Sequence, residues 1–297
     1  MQKDFSAPAR CSAWVPGSCG ELVQGWHPEW DEPVLVSCPI NRGSRVRVEV
    51  QGCGVHVPDL RPKTGQAVRL ALSYLGRPEL GIRVQVENPL PQGRGMASST
   101  ADITAAVFAT AAVLGEPLKW AEVGRLACQV EPSDSVFLPG LSCFTYRSGN
   151  RIRLLGSPPP LAMLVLDPGG AVDTVAFNAH MDFRSLRQIA STTGEALALL
   201  QEGVQQADGK LIAQAATLSA RSFQVVSLSP LLEMAEHCAR QSDAMGVVRA
   251  HSGTVFALLY PPDRPDLSQL ARTLAVQTGC RVHLRQLISG GVQVEPE

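Results

Sequence analysis

The chain has 297 residues, of which 45% are hydrophobic and 18% charged, a composition typical of a folded globular protein with room for two domains. The formal net charge of −1 argues against nucleic acid or an anionic membrane surface as a partner, because both require a basic excess. No stretch has the uninterrupted apolar length of a membrane span, and the first residues lack the apolar block of a secretory signal. We therefore expect a cytoplasmic protein that binds small molecules.

The first third of the chain is predicted to be rich in β-strands. β-Branched or alternating apolar residues, separated by proline and glycine, mark five strands and one helix that interrupts them. The predicted strands are 10–15, 34–38, 45–50, 54–57 and 81–87, and the predicted helix is 63–75.

A glycine-rich loop follows the last of these strands, with the sequence Leu-Pro-Gln-Gly-Arg-Gly-Met-Ala-Ser-Ser-Thr-Ala at 90–101. Gly93 and Gly95 allow the backbone to curl with its N–H groups inward. Either Ser98 or Ser99 is expected to cap the alanine-rich helix that follows, so that unpaired amides and the positive end of the helix dipole face one place. The pattern predicts a site for an anion such as phosphate. The alternative is a simple turn followed by a capped helix.

Neither of the two common nucleotide motifs fits this loop. A Walker loop has lysine after its last glycine, where this chain has Met96, and the third glycine of a dinucleotide fingerprint is absent. Any nucleotide must therefore be held in another way.

The remaining elements predict a mixed α+β chain that is divided by a linker. Consecutive prolines in Gly156-Ser-Pro-Pro-Pro160 cannot join the interior of a strand or helix, so we predict a domain boundary there, with domains at 1–156 and 161–297. Before the linker we predict helices at 99–114 and 119–130 and strands at 141–146 and 151–155. After it we predict strands at 161–166, 246–249, 254–260 and 281–287 and helices at 183–205, 210–223, 230–241 and 267–278.

The eight cysteines are predicted to be reduced thiols, because none forms a C-x-x-C pair and several lie in apolar runs. A disulfide framework or a zinc site is therefore not expected. Cys19, in a glycine-flanked turn, would need a histidine partner to act as a nucleophile, so we interpret it as structural.

Three blocks in chain order resemble the GHMP kinase family, which includes galactokinase, homoserine kinase and mevalonate kinase. The loop at 90–101 resembles the family's phosphate-binding motif and departs from it at Ala97, where glycine or serine is usual. The segment 15–25, Val-Pro-Gly-Ser-Cys-Gly-Glu-Leu-Val-Gln-Gly, stands in the place of the family's substrate motif. The usual basic residue after its proline and the histidine after Glu21 are missing. The segment 248–259 stands in the place of the third, glycine-rich block.

The resemblance implies an α+β fold of two domains, with a ribosomal protein S5 domain 2-like amino-terminal domain and a ferredoxin-like α/β sandwich at the carboxyl end. It also implies a small-molecule kinase that uses ATP and Mg²⁺. Residues 16–25 further resemble the L-threonine kinase branch, which serves cobalamin synthesis and converts L-threonine to O-phospho-L-threonine. A kinase of another small alcohol such as homoserine, and a non-catalytic nucleotide-binding module of the same fold, remain alternatives.

By the same resemblance the loop holds the ATP phosphates, and Ser99 or Ser98 offers a hydroxyl oxygen to magnesium. Glu131 matches the family's glutamate near the metal, and Asp134 matches the aspartate that acts as a base or orients the attacking hydroxyl. Ser99, Glu131 and Asp134 are thus the implied catalytic residues, with Ser99 and Glu131 on the metal. Taken locally, Glu131 and Asp134 are better explained as an acidic pair in a solvated turn, and it is the phosphate loop one helix upstream that favours the catalytic interpretation. The implied phosphate contacts are Pro91, Gly93, Arg94, Gly95, Met96, Ala97, Ser98, Ser99 and Thr100.

An amino-acid substrate such as L-threonine needs an acid for its ammonium group and a cation or amides for its carboxylate. Glu21 is the candidate partner of the ammonium group, and Arg249 or His251 is the candidate partner of the carboxylate. Each also has an ordinary interpretation, since Arg and Glu are common on surfaces and a lone His is often a hydrogen-bonded structural group.

Overall fold

Strands alternate with helices in the computed structural model, which describes residues 10–52, 54–57 and 61–297. The first part comprises β1 Arg10–His27, β2 Glu32–Val50, β3 Val55–His56, α1 Pro62–Tyr74, β4 Ile82–Glu87, α2 Ser98–Val113, α3 Trp120–Val130, β5 Leu141–Phe144 and β6 Ile152–Gly156. The second part comprises β7 Leu161–Asp167, α4 Thr174–Ala179, α5 Phe183–Gln188, α6 Ala190–Gln205, α7 Gly209–Ser222, α8 Leu231–Gln241, β8 Gly246–Arg249, β9 Phe256–Tyr260, α9 Leu267–Thr278, β10 Arg281–Leu287 and β11 Gln293–Pro296.

Strand β1 continues to His27, far beyond the predicted strand at 10–15, and β2 merges two predicted strands into one. The antiparallel register between β1 and β2 shifts three times between Pro16 and Val23. Such bulges let a strand absorb the prolines and glycines that otherwise indicate a turn. The segment 15–25 therefore lies inside a strand.

Helix α2 is buried along nearly its whole length. Its many alanines are good helix formers with small side chains, and the helix packs on β1 and β2 beneath α1 and α3. The predicted cap is wrong, because neither Ser98 nor Ser99 caps the helix. The N-cap residue is Ala97, whose φ of 53° is left-handed, and no side chain makes a cap hydrogen bond. Ser98 is already in the first turn, where its hydroxyl donates to the carbonyl of Leu90 at 3.3 Å.

The second part differs from the sequence prediction at three places. The predicted helix at 183–205 is two helices, because the chain bends at Ile189 between α5 and α6. Helix α4 is too short to give a periodic pattern, and it begins where the side chain of Asp173 accepts two backbone amides. Strand β11 exists through its pairing with β1, which no local pattern indicates.

The strands form one sheet in the order β11-β1-β8-β9-β7-β10-β2-β4-β3, with β5 attached to β2 and β6 attached to β5. This mixture of sheet and helices confirms the predicted α+β class. Strands β1 and β2 also pair directly, so the two parts of the chain close a ring through the β1–β8 and β10–β2 contacts. In the first of these contacts Glu21 lies opposite Arg249. The division into domains at 1–156 and 161–297 stays a prediction.

Within the described ranges, no helix is long and apolar enough to cross a bilayer. The seven cysteines in those ranges are free thiols, whereas Cys53 lies outside the described residues. Cys19 is buried, and burial raises the pKa of its thiol. A thiol of this kind is a poor nucleophile, in agreement with a structural role.

The loop before α2 is held by backbone hydrogen bonds from two sides. Two amides of β1 donate to the carbonyls of Gly95 and Met96, both at 3.1 Å, and two amides just before β9 donate to the carbonyl of Arg94 at 3.0 and 3.2 Å. The approach is close, because a Cβ on Gly95 would lie 2.4 Å from the Cβ of Ala250 and 3.2 Å from the Cα of Gly253. The loop is thus clamped between the two parts of the chain.

Replacing Gly95 by alanine is expected to disrupt this clamp. Gly95 and Gly76 both have a positive φ, at 80° and 70°, which costs an alanine about 1–2 kcal/mol. A Cβ on Gly76, however, meets nothing within 4 Å. Gly95→Ala should therefore lower the free energy of unfolding by about 1–3 kcal/mol more than Gly76→Ala, the usual range for overpacking. Urea denaturation measures this difference, and equal losses in the two variants would contradict a tight clamp.

Candidate active site

A cleft between the two parts of the chain collects residues from separate segments. The clamped loop and the first turn of α2 form one wall, and β1 contributes Glu21. The segment after α3 contributes Glu131 and Asp134, and the turn after β8 contributes His251. The lining residues are Glu21, Pro91, Gln92, Gly93, Gly95, Met96, Ala97, Ser98, Ser99, Thr100, Glu131, Pro132, Asp134, Thr174, His251 and Ser252.

The wall formed by the loop presents backbone amides to the cleft. Its carbonyls accept hydrogen bonds from outside the loop, and the first amides of a helix have no partner within the helix. Such an edge favours an anion. Every predicted phosphate contact lines the cleft except Arg94. The guanidinium of Arg94 instead donates to Oδ1 of the buried Asp167 at 2.8 Å, which ties the loop to the end of β7.

A polar cluster behind the loop holds the start of α2. Nδ2 of Asn88 donates to the carbonyl and the hydroxyl of Ser98, at 3.0 and 3.1 Å, and to Oδ1 of Asp102 at 2.7 Å. Asp102 also accepts from the Ser44 hydroxyl at 2.5 Å and from Nη1 of Arg61 at 2.6 Å. No sequence motif marks this cluster, although Asp102 does interrupt an otherwise uncharged helical sequence. Because all these contacts converge on one turn, the cluster fixes the position of that turn.

Glu131 is a buried carboxylate with a lysine partner. Its side chain is 2% exposed, and Nζ of Lys63 donates to its Oε2 at 2.5 Å. The alternative of a solvated turn therefore does not describe Glu131. Lys63 stands at the start of α1, far away in sequence, and no local pattern identifies it.

Asp134 is held against the first turn of α2. The hydroxyl of Thr100 donates to Oδ2 of Asp134 at 2.9 Å and accepts from the Asp134 amide at 3.1 Å. This two-way contact places the carboxyl group of Asp134 beside the first turn of α2.

The carboxyl group of Asp134 lies close enough to that of Glu21 to affect its ionisation. Burial raises the pKa of Glu21 well above its ordinary value, and the neighbouring charge of Asp134 raises that pKa further. Burial also raises the pKa of Asp134. Oε2 of Glu21 receives no hydrogen bond from any donor in the described part of the chain. A cation beside the two carboxyl groups would favour the ionised form of both.

The two residues predicted for a substrate carboxylate lie in different places. His251 is buried and lines the cleft. The guanidinium of Arg249 lies over the ring of Phe223 and donates to Oε1 of Gln224 at 2.9 Å and to the carbonyl of Ser227 at 2.5 Å. Burial lowers the pKa of Arg249 to about 10. The structure thus brings His251 to the cleft and does not bring the side chain of Arg249 there.

The oxygen atoms that the cleft offers as ligands fit a magnesium ion that also binds phosphate. The Ser99 hydroxyl and the Glu131 carboxylate line the cleft beside the loop amides, and proteins bind Mg²⁺ through one or two carboxylates plus substrate phosphates. Across 10–52, 54–57 and 61–297, no group of three or more His, Cys, Asp or Glu residues could hold a metal ion. A metal at Ser99 and Glu131 would therefore need the phosphate oxygens to complete its ligands.

Comparison with known proteins identifies the family. Residues 63–138 match the family GHMP kinases N terminal domain, and nearly the whole chain aligns with a characterised relative. The chain belongs to the GHMP kinase family. The relative is the L-threonine kinase of Salmonella typhimurium strain LT2, which is 32% identical over 303 residues that cover 99% of this chain and 98% of the relative.

Solved structures share the fold. A homoserine kinase from Cytophaga hutchinsonii has a TM-score of 0.74 at 17% identity and covers 99% of this chain and 100% of its own. A chain described as MDDEF in complex with MVAPP, AMPPCP and magnesium has a TM-score of 0.70 at 15% identity, with coverage of 98% and 100%. These likenesses confirm the GHMP kinase fold that the sequence motifs predict.

Glu21→Gln is expected to stabilise the fold at neutral and alkaline pH. Because the folded-state pKa of Glu21 lies above its ordinary value of 4.5, the folded wild type retains a proton that the unfolded chain releases. Wild-type stability therefore falls as the pH rises from about 4.5 through that raised pKa. Glutamine has no such loss. The thermal midpoint of the variant should exceed that of wild type by about 2–4 °C at about pH 8, the shift for about 1 kcal/mol in a chain of this size.

The gap between the two midpoints should close as the pH falls toward about 5, where Glu21 is protonated. Glu195→Gln at an exposed position serves as the control and should show no pH-dependent gap. A lower midpoint for Glu21→Gln at about pH 8, or a gap that does not change with pH, would contradict the raised pKa.

Proposed function

We propose that the protein transfers the γ-phosphoryl group of ATP to the hydroxyl of L-threonine, which yields O-phospho-L-threonine and ADP. The polarity of the cleft carries this proposal. One wall offers amide donors for phosphate, and the other offers the unpaired carboxyl oxygen of Glu21 together with Asp134. The similarity to the Salmonella L-threonine kinase supports threonine as the acceptor.

The phosphate side of the proposal rests on the loop and the start of α2. The loop amides would bind the β- and γ-phosphates, because a helix N-terminus attracts negative charge. Ser99 and Glu131 would hold a magnesium ion, which neutralises phosphate charge when bound. A solved structure of this fold is in complex with AMPPCP and magnesium, which supports ATP and magnesium as ligands of the site. Nζ of Lys63 donates to Oε2 of Glu131 and holds this carboxylate in place.

The carboxyl group of Asp134 would act on the hydroxyl group of L-threonine that receives the phosphoryl group. The oxygen of the threonine hydroxyl forms a bond to the γ-phosphorus, while the bond from that phosphorus to the bridging oxygen breaks and ADP leaves with the electron pair. The hydroxyl proton passes to Asp134. Thr100 holds the carboxylate in place through its hydrogen bond to Oδ2. Because burial raises the pKa of Asp134, its ionised form is a stronger base than an exposed aspartate.

Glu21 is the proposed partner of the ammonium group of the substrate. The ammonium group of L-threonine would bind Oε2 of Glu21, and the proton that the raised pKa keeps on Glu21 would be released to solvent. The positive charge favours the ionised form of both carboxyl groups. Substrate binding would thus leave Asp134 ready to accept the hydroxyl proton.

The biological setting belongs to the same proposal. Residues 16–25 resemble the L-threonine kinases of cobalamin synthesis, so O-phospho-L-threonine would feed the aminopropanol side chain of cobalamin. ATP and free amino acids are cytoplasmic metabolites, and we place the reaction in that compartment.

Release of ADP in the presence of L-threonine, L-serine, L-homoserine or mevalonate tests the acceptor. We expect the highest kcat/KM with L-threonine. A higher value with L-homoserine would favour a kinase of another small alcohol, the activity of the solved homoserine kinase with this fold. No turnover above background with any acceptor would overturn the proposed kinase and favour a non-catalytic nucleotide-binding module.

Asp134→Asn is expected to lower kcat by about 10²- to 10⁴-fold, the usual contribution of a general base. The KM for ATP should stay nearly unchanged, because the amide oxygen of asparagine can still accept from Thr100 and the backbone amide still donates to it. Glu131→Gln should also depress turnover, with partial recovery at high magnesium concentration. Steady-state kinetics at several magnesium concentrations separate the two effects, with Glu195→Gln as the exposed control. Wild-type kcat in Asp134→Asn would contradict its role as base.

A further inference from the structure

His251 is a buried histidine of the cleft wall with one unpaired ring nitrogen. The residue is 6% exposed, and the rings of Tyr146, Phe177 and Phe223 surround its imidazole at centroid distances of 5.0, 5.4 and 5.1 Å. Nδ1 lies 3.0 Å from Oε1 of Gln24, whereas Nε2 has no hydrogen-bond partner among the residues that the structure describes. An unpaired buried polar atom costs free energy of folding, so this nitrogen calls for a ligand.

Gln24 determines which nitrogen of His251 carries the hydrogen. Nε2 of Gln24 donates to the backbone carbonyl of Arg249 at 3.2 Å, and because a carbonyl only accepts, the amide oxygen of Gln24 must face His251. That oxygen also only accepts, so Nδ1 of His251 is the donor. In a neutral imidazole the other nitrogen, Nε2, then carries a lone pair.

The imidazole is neutral in this setting. Burial and the nearby guanidinium groups of Arg249 and Arg147 lower the pKa of His251 to about 3. A neutral ring with a lone pair on Nε2 accepts a hydrogen bond and repels a carboxylate. His251 therefore does not suit the carboxylate contact that the sequence suggests for it.

A second unpaired acceptor lines the same cleft as His251. Glu21 of β1 is paired with Arg249 of β8, and His251 follows Arg249 by two positions. Glu21 and His251 both line the cleft, and Oε2 of Glu21 also lacks a donor among the described residues. The lone pair of His251 and the carboxyl oxygen of Glu21, which accepts once it is ionised, fit a ligand group with several donors and a positive charge. An ammonium group has three N–H donors and meets both requirements.

We propose that the ammonium group of the amino-acid substrate donates hydrogen bonds to Nε2 of His251 and to Oε2 of Glu21, with Gln24 as the positioning residue that orients the imidazole. This rests on the proposed function, because it takes an amino acid as the acceptor. His251 thereby becomes a determinant of specificity. A substrate without an amino group leaves both acceptors unpaired, whereas a substrate without a carboxylate still satisfies them.

Compounds that each lack one group test this assignment. L-Threonine carries both groups, L-threoninol lacks the carboxylate, and 3-hydroxybutyrate lacks the amino group. The KM for L-threonine and the inhibition constants of the two analogues are measured for wild type and for His251→Leu. His251→Gln keeps a hydrogen-bond acceptor and is the conservative variant, and His237→Leu on the exposed face of α8 is the matched control.

We expect His251→Leu to raise the constants for L-threonine and L-threoninol alike, by about 10- to 100-fold, the usual effect of a hydrogen bond to a charged group. The constant for 3-hydroxybutyrate should stay nearly unchanged. His251→Gln should raise the constants for L-threonine and L-threoninol by a smaller factor than His251→Leu. A loss that spares L-threoninol would place the carboxylate at His251, and equal losses for all three compounds would indicate a structural role. Either result overturns the proposal. Absence of L-threonine turnover in wild type would instead overturn the proposed function, and this inference with it.

Nitrogen-15 NMR of the wild-type imidazole gives a second reading that needs neither a variant nor turnover. We expect a neutral His251 with its hydrogen on Nδ1, whose Nε2 signal shifts on addition of L-threonine or L-threoninol and not of 3-hydroxybutyrate. A hydrogen on Nε2 would overturn the proposal even in a protein that phosphorylates L-threonine.

Discussion

The glycine-rich loop is hydrogen-bonded from both parts of the chain at once, and the site is arranged around this constraint. Strand β1 donates to the carbonyls of Gly95 and Met96, and the turn before β9 donates to the carbonyl of Arg94. Because these carbonyls are engaged away from the cleft, the amide edge of the loop remains for a ligand. Glu21 lies on β1 and His251 lies in the turn after β8. The hydrogen bonds that join these two segments to the loop therefore also bring Glu21 and His251 to the cleft.

The cleft that results is polarised. Its loop offers backbone amides as donors, which suit a triphosphate. Its opposite side offers acceptors, namely the carboxyl pair of Glu21 and Asp134 and the lone pair of His251, which suit an ammonium group. This arrangement gives a reason for a buried carboxyl pair that costs stability at neutral pH. Binding of a cationic substrate offsets this loss of stability, because its positive charge favours the ionised carboxyl groups.

Local signals predict the loop and the mixed α+β class, because glycine spacing and strand and helix patterns lie within short stretches of sequence. Glu131 is assigned only by its resemblance to the family's glutamate. The predicted cap at Ser98 or Ser99 is wrong, because the N-cap is Ala97 in a left-handed conformation and the helix already begins at Ser98. The Lys63 partner of Glu131 leaves no local trace. The tautomer of His251 depends on Gln24, which is 227 positions away in sequence. Such pairings arise only when the sheet brings distant strands together.

A crystal structure with a non-hydrolysable ATP analogue, magnesium and L-threonine would examine the polarised cleft as a whole. We expect the triphosphate on the amides of the loop, the threonine ammonium within hydrogen-bond distance of Glu21 and His251, and the threonine hydroxyl beside Asp134. A triphosphate bound away from the loop, or threonine bound in reverse with its carboxylate at His251, would contradict this arrangement.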